Sequence, residues 1–230
     1  MRYISIDIET TGLDSENNQI LSIGAIIEDT NNPLSFEESP KFHGAILRRG
    51  DVTGSMFALD MNRDLISQIS AYQEADEYGK KLIETSSGIK FYYEDEIVEA
   101  LFNFLWKNGI AQESFPVGWL LDKNVKTIDG LVYPMLSNKI PKVYLNAAGK
   151  NFGTFDLKFL VKLPRWQQIF KVRQRILDPA ILYVNWEEDE SLPSLNLCKE
   201  RANIKGEVTH NALEDAWDVV LALRPSYVKK

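Results

Sequence analysis

The chain has 230 residues and a formal net charge of −7, from 26 Lys and Arg against 33 Asp and Glu. Hydrophobic residues make up 44% of it and charged residues 26%, which is ordinary for a globular protein and excludes disordered, fibrous and membrane-bundle classes. The length predicts one domain over residues 1–230. The first residues hold no long apolar stretch, so we expect no signal peptide, no membrane span and a cytoplasmic location.

The first predicted element is a strand over residues 3–9, because apolar and other residues alternate there with the period of two that is typical of strands. Asp7 and Glu9 therefore point to the same side of the sheet. Further strands are predicted at 20–28 and 41–47. The apolar residues that alternate in the first strand are Ile4, Ile6 and Ile8.

Helical periodicity follows in the middle of the chain. Apolar residues recur at helical spacing over 60–84 and, more clearly, over 94–107, which predicts two amphipathic helices. The segment 111–142 contains three prolines and two glycines and is predicted to be irregular, with at most a short helix.

The second half of the chain alternates predicted strands and helices, and this order indicates a mixed α/β sheet rather than a sandwich or a bundle. Residues that favour helix N-caps precede each of the three helices. The predicted elements are a strand over 143–147, a helix over 155–162 capped by Thr154, a strand over 175–178, a helix over 195–202 capped by Ser194, and a last helix capped by Asn211.

Four acidic residues far apart in the sequence are candidates for one site: Asp7, Glu9, Asp156 and Asp215. Carboxylates that converge in a folded protein repel one another unless a cation neutralises them. Ligation by oxygen alone favours Mg²⁺ or Mn²⁺ over zinc. Two such ions activate a water and stabilise the leaving oxygen of a phosphodiester in nucleases. His210, just before Asp215, is a candidate general base for that water.

These motifs and their order resemble the DEDDh 3′-to-5′ exonucleases of the DnaQ-like superfamily, and the resemblance covers nearly the full chain. It is carried by Asp7-x-Glu9 with Thr-Gly after it, by Asp156 at a helix start, and by His210 and Asp215 with four residues between them. The oligoribonuclease branch and phage exonucleases are similar in the residues around 149–151 and 210–215. The resemblance implies an RNase H-like fold, α/β, with a mixed central sheet of about five strands flanked by helices.

The resemblance also implies residue roles. Asp7, Glu9 and Asp215 would bind one metal ion, Asp7 would bridge to a second ion, and Asp156 would support that second ion through water. His210 would be the base. The candidate residues for binding the 3′-terminal nucleotide are Thr10, Thr11, Leu13, Asn151 and Phe155.

The predicted function is a 3′-to-5′ exonuclease that uses two Mg²⁺ or Mn²⁺ ions on the 3′ ends of single-stranded DNA or RNA and releases nucleoside 5′-monophosphates. Two alternatives stay open, a nucleic-acid-binding protein of the same fold without turnover and a phosphohydrolase of small nucleotides. The segments 51–93 and 111–142 are longer than a minimal exonuclease of this type needs and are predicted insertions. We have no expectation for the oligomeric state.

Several other residues admit two interpretations. The basic residues between 150 and 175 have two interpretations. They contact a phosphate backbone, or they form a solvated face of a helix, and both interpretations stay open. Met56 and Phe57 would stack on a base, although core packing is the favoured interpretation. For His43 and Cys198 we expect structural roles, and Asp218 is predicted to face solvent or to support the site indirectly.

Overall fold

The computed structural model of the protein describes residues 1–115, 125–128, 130–136 and 140–228, so the predicted irregular segment 111–142 lies partly outside the described residues. A five-stranded mixed sheet in the order β4-β3-β2-β1-β8 forms its centre, with helices on its faces. This confirms the predicted mixed α/β fold with about five strands. Its strands are β1 (Arg2–Thr10), β2 (Ile20–Asp29), β3 (Lys41–Leu47), β4 (Lys90–Tyr93) and β8 (Ala147–Ala148).

The predicted alternation in β1 is present and separates two packed layers. Ile4, Ile6 and Ile8 belong to the largest cluster of buried residues, on one face of the sheet. Tyr3, on the other face, belongs to a second buried cluster that includes Val219 and Val220 of the last helix. Because side chains alternate along a strand, Asp7 and Glu9 lie on this second face.

The region between β3 and β4 forms three helices, α1 (Met56–Met61), α2 (Arg63–Glu74) and α3 (Glu77–Ser87). The prediction of one helix over 60–84 is therefore wrong. The break occurs because Asp76 adopts an extended conformation and caps α3, accepting a hydrogen bond from the Gly79 amide at 2.8 Å. The predicted helix over 94–107 is confirmed as α4 (Ile97–Lys107).

The rest of the chain adds two small sheets and five helices among the described residues. A hairpin pairs β5 with β6, and β7 pairs in parallel with β9. These elements are β5 (Val125–Ile128), β6 (Leu131–Pro134), β7 (Val143–Leu145), β9 (Phe170–Val172), α5 (Asp156–Leu160), α6 (Trp166–Ile169), α7 (Ala180–Tyr183), α8 (Leu195–Arg201) and α9 (Ala212–Leu223). Short 3-10 helices cover Ala111–Ser114 and Arg224–Ser226.

Two predictions about this half are wrong. The expected strand over 175–178 is only an isolated bridge between Leu177 and Ala148, because its neighbour β8 is only two residues long. Thr154 does not cap α5; its hydroxyl donates to the Asn151 carbonyl at 3.0 Å, and the helix begins after Phe155. Ser194 and Asn211 do cap α8 and α9, as predicted. No helix in the described part of the chain is long and apolar enough to cross a membrane.

Gly24 lets the start of α9 approach the sheet closely. We therefore predict that replacing Gly24 destabilises the protein. A Cβ atom on Gly24 would lie 2.2 Å from the Ala212 backbone, whereas a Cβ on Gly50 would meet nothing within 4 Å. Gly24→Ala is expected to lower the free energy of unfolding by about 1–3 kcal/mol or more, because backbone has to move. Gly50→Ala, the control, should change it by less than about 0.5 kcal/mol. Urea unfolding measures both; equal effects would show that this close approach does not limit packing.

Candidate active site

The site is built where the end of β1 meets the start of α9. Each of Glu9, His210 and Asp215 offers a ligand atom, and these atoms all lie within 4.8 Å of one another. Asp7 and Glu9 sit opposite Gly24 and Ser22 in the register with β2. The absence of a side chain at Gly24 thus brings the α9 start directly over the two β1 carboxylates.

The other two predicted acids join this group. Asp7 interacts electrostatically with Asp156, Asp215 and Glu9, so all four carboxylates share one region. Asp156 is 3% exposed at the start of α5, where the amides of Ile8 and of Asp156 itself hydrogen-bond to its carboxylate. The structure therefore gathers the five residues that the sequence separates by up to about two hundred positions.

Burial and mutual repulsion disfavour the charged forms of these carboxyl groups. Burial first, and then repulsion by the neighbouring acids, raises the pKa of Asp7 well above its usual range. Burial raises the pKa values of Glu9, Asp156 and Asp215 to about 7 each. Repulsion by Asp215 adds to the shift at Glu9. Such groups are stabilised by protons or by bound cations.

The donor set fits hard divalent cations. Four carboxylates that repel one another supply oxygen ligands of the kind that Mg²⁺ and Mn²⁺ prefer. His210 adds one imidazole beside Glu9 and Asp215. The residues present could thus hold hard divalent cations.

Local sequence explains how α9 contributes. Asn211 caps the helix by accepting hydrogen bonds from the amides of Leu213 at 3.1 Å and Glu214 at 3.3 Å. Asp215 then falls in the first turn, close to the positive end of the helix dipole. His210, directly before the cap, is exposed and has a φ of 54°, a left-handed conformation that is uncommon for a residue with a side chain.

A cleft of about 470 Å³ opens from the acids. Asp7, Glu9, His210 and Asp215 line one part of it, and the remainder is largely apolar. Leu13 and Phe57 are 86% and 77% exposed at this cleft, although large apolar side chains are usually buried. The other lining residues are Ile8, Thr10, Gly12, Ser55, Ala58, Met61 and Phe155.

The predicted substrate-binding residues occupy different places. Thr10, Leu13 and Phe155 line the cleft. Thr11 is fully buried, and its hydroxyl accepts a hydrogen bond from the Gln19 amide at 2.9 Å. Asn151 is exposed outside the lining of this cleft, and its side-chain oxygen accepts from Lys150 at 2.7 Å.

The segment that carries α1 supplies cleft residues that sequence reasoning missed. Core packing was the favoured interpretation for Met56 and Phe57, and it is wrong, because both are more than three-quarters exposed and only Ala58 of this helix is buried. The local sequence does not predict this exposure, because four of the six residues of α1 are large and apolar, as core packing would also require: Met56, Phe57, Leu59 and Met61.

The second histidine lies beside the site. His43 lines a polar pocket of about 220 Å³ that also touches Glu9, Asn62 and His210. Burial lowers the pKa of His43 to about 4, so its imidazole is neutral at neutral pH. This agrees with the expected structural role.

The basic run between 150 and 175 does not form one helix face. It extends over α5, α6, β9 and the segments between them. Lys162 pairs with Glu16 and Arg165 with Glu99, whereas Lys171 and Arg173 lie over the ring of Tyr144. The interpretation as one solvated helix face is therefore wrong, and contact with a phosphate backbone stays a prediction.

The fold resembles that of a known nuclease. A structure of E. coli Exonuclease I in complex with a 5cy-dT13 oligonucleotide matches with a TM-score of 0.51 and 14% identity, over 97% of this chain and 40% of that chain. A second E. coli Exonuclease I structure, with a dA16 oligonucleotide, matches with a TM-score of 0.49 and 14% identity over 97% of this chain and 41% of that one. No family model matches the sequence, and none of the curated proteins is similar enough to be a relative.

These similarities concern the fold. The chain spans about 40% of the length of the Exonuclease I chains that it matches. At 14% identity, the comparison shows that the mixed sheet and its flanking helices have the RNase H-like arrangement of the Exonuclease I structures.

Proposed function

We propose that the protein is a 3′-to-5′ exonuclease that depends on two Mg²⁺ or Mn²⁺ ions and acts on single-stranded nucleic acid. One observation carries the proposal: four carboxylates with raised pKa values and one histidine converge at the end of an apolar cleft. Acids that disfavour their own charge suit a site that binds cations. The Exonuclease I fold supports a nuclease in particular.

The residues divide the work as follows. Asp7, Glu9, Asp156 and Asp215 would hold the ions, which when bound would activate a water and stabilise the leaving oxygen. His210 lies within ligand-atom reach of Glu9 and Asp215 and takes the proton from the attacking water. Hydrolysis of the last phosphodiester releases a nucleoside 5′-monophosphate.

The apolar part of the cleft holds the 3′-terminal nucleotides. Phe57 and Phe155 offer aromatic faces on which bases stack without regard to sequence, and Leu13 adds an apolar contact beside them. A bound nucleotide would cover Leu13 and Phe57, which would explain why these apolar side chains are exposed in the free protein. Thr10 lines the same cleft beside Glu9.

The proposed reaction is tested with oligonucleotides labelled at the 5′ end. Incubation of single-stranded DNA and RNA with the protein and Mg²⁺ or Mn²⁺ should give a ladder of shortened labelled products, and EDTA or His210→Ala should suppress it. A 3′-phosphate on the same strand should slow the start of digestion. Mn²⁺ binding without a ladder would instead support a binding protein without turnover, and release from mononucleotide esters alone would support a phosphohydrolase.

Phe57→Ala is expected to weaken substrate binding. Loss of one stacked base costs about 1–3 kcal/mol, so KM should rise roughly 5- to 150-fold while kcat changes less. Met56→Ala is the matched control, because Met56 is its neighbour and 89% exposed but does not line the cleft. Steady-state kinetics on single strands measures both variants. Equal effects of the two substitutions would remove Phe57 from the binding surface.

A further inference from the structure

His210 is carried by the loop between α8 and α9, residues 202–211, which we call the histidine loop. Its conformation is not one that the sequence favours locally. His210 has a φ of 54°, a left-handed conformation that costs a residue with a side chain free energy and so depends on the surrounding contacts. Because the backbone sets the direction of the Cα–Cβ bond, the contacts that hold the loop backbone help to determine where the imidazole lies.

A buried lysine on α8 makes one of these contacts. The Lys199 ammonium donates to the Glu207 carbonyl in the histidine loop at 3.0 Å and forms an ion pair with Asp218 on α9. The Lys199 side chain is 4% exposed and the Asp218 side chain 11%. A buried ammonium is costly unless oxygen atoms surround it, so this pair has a defined geometry.

The neighbouring loop residues are also fixed. The Val208 amide donates to the Asn196 side chain at 2.8 Å, and the Thr209 amide donates to the Asp215 carboxylate at 3.3 Å. Three consecutive residues directly before His210 are thus bound to α8 or α9. Lys199 joins both helices and the loop, because it lies on α8, donates to the Glu207 carbonyl in the loop and pairs with Asp218 on α9. Asp218 follows Asp215 by about one helical turn.

We propose that Lys199, paired with Asp218, is a positioning residue that holds the histidine loop so that the His210 imidazole faces Glu9 and Asp215. The inference rests on the proposed role of His210 as the base. Lys199 does not line the cleft, so it acts through the loop and not on the nucleic acid. Loss of the pair should lower kcat and leave KM and Mn²⁺ affinity nearly unchanged.

The decisive variant is the double substitution Lys199→Met with Asp218→Leu, which removes both charges and leaves neither one buried alone. We expect kcat to fall about 10- to 100-fold, because small misplacements of a catalytic group have effects of this size. In a His210→Ala background, the same double substitution should change kcat less than about 2-fold. An undiminished loss in that background would overturn the proposal.

The matched control is a second ion pair on the same helix. Arg201 pairs with Asp189 and donates to the Tyr183 carbonyl, away from the histidine loop. Arg201→Met with Asp189→Leu removes this pair from α8; the Arg201 side chain is 27% exposed, against 4% for Lys199. The double substitution is expected to leave kcat within about 2-fold of the wild type. A loss equal to that of the Lys199 and Asp218 variant would assign the effect to α8 stability and not to positioning.

An observation without turnover separates this inference from the proposed function. The chain has only two histidines, so imidazole NMR signals are assigned with one variant, His43→Gln. The Lys199 and Asp218 double variant should shift or broaden the His210 signal, and the Arg201 and Asp189 variant should not. Asp218→Asn, which leaves the Lys199 ammonium buried without its counter-ion, should also shift or broaden it. An unchanged His210 signal would overturn the proposal, whereas wild-type turnover of His210→Ala would overturn only the base assignment.

Discussion

Asp7→Asn is expected to abolish metal-dependent strand cleavage and at the same time to stabilise the metal-free protein. Burial and repulsion by Asp156, Asp215 and Glu9 raise the Asp7 pKa, so its charge is unfavourable in the absence of cations. The amide has nearly the same shape and removes that repulsion. The free energy of unfolding of the metal-free protein is therefore expected to rise, because the amide is never charged.

The same substitution removes a proposed metal ligand. Turnover should fall about 10³-fold or more, because loss of one group that stabilises transition-state charge costs about 10²–10³-fold and loss of an ion costs further. Calorimetry in EDTA measures the stability of the metal-free protein. Digestion of a labelled strand at increasing Mn²⁺ concentration measures the turnover. Asp51→Asn, at an exposed position, is the control and should change neither. A destabilised Asp7→Asn protein that still digests a labelled strand would contradict both the electrostatic and the catalytic assignment.

Features with a strong local signal were predicted correctly from the sequence. The alternation in β1 placed Asp7 and Glu9 on one face, because successive side chains of a strand point to opposite faces and residues two apart share a face. The Asn211 cap placed Asp215 in the first turn of α9, because capping also depends on a few neighbouring residues. The five-residue cluster was predicted by resemblance, and the structure brings those residues together.

The missed features depend on partners that are distant in sequence. The strand β9 forms because β7 lies beside it, and nothing in Phe170–Val172 alone distinguishes it from a loop. Asp218 was expected to face solvent or to support the site indirectly, and only the packing of α8 against α9 shows it buried against Lys199. The exposure of Phe57 likewise follows from where α1 lies, at the mouth of the cleft.

The stability of the metal-free protein should fall as the pH rises from 6.5 to 8. Glu9, Asp156 and Asp215 have folded-state pKa values of about 7, above their values in an unfolded chain. In this window the folded state binds more protons than the unfolded state, so the free energy of unfolding decreases with increasing pH. The stability that these protonated acids contribute is fully present below their unfolded-state pKa values. It is lost as the pH rises through their folded-state pKa values of about 7. His43 opposes this decrease only weakly: burial lowers its folded-state pKa to about 4, so the unfolded state loses the half proton that it still binds at pH 6.5, which adds less than about 0.5 kcal/mol of stability across the window.

A decrease of about 1–3 kcal/mol is expected over that window, because each extra proton bound by the folded state contributes about 1.4 kcal/mol per pH unit. The three shifts should not add fully, since the first proton relieves part of the repulsion felt by the others. Saturating Mn²⁺ should flatten the dependence and stabilise the protein more at pH 8 than at pH 6.5, because ions displace protons from the same oxygens. Urea unfolding at several pH values, in EDTA and in Mn²⁺, measures both curves. A metal-free stability that rises with pH across this window would mean that the acids do not converge as charged groups, and the metal site would lose its electrostatic basis.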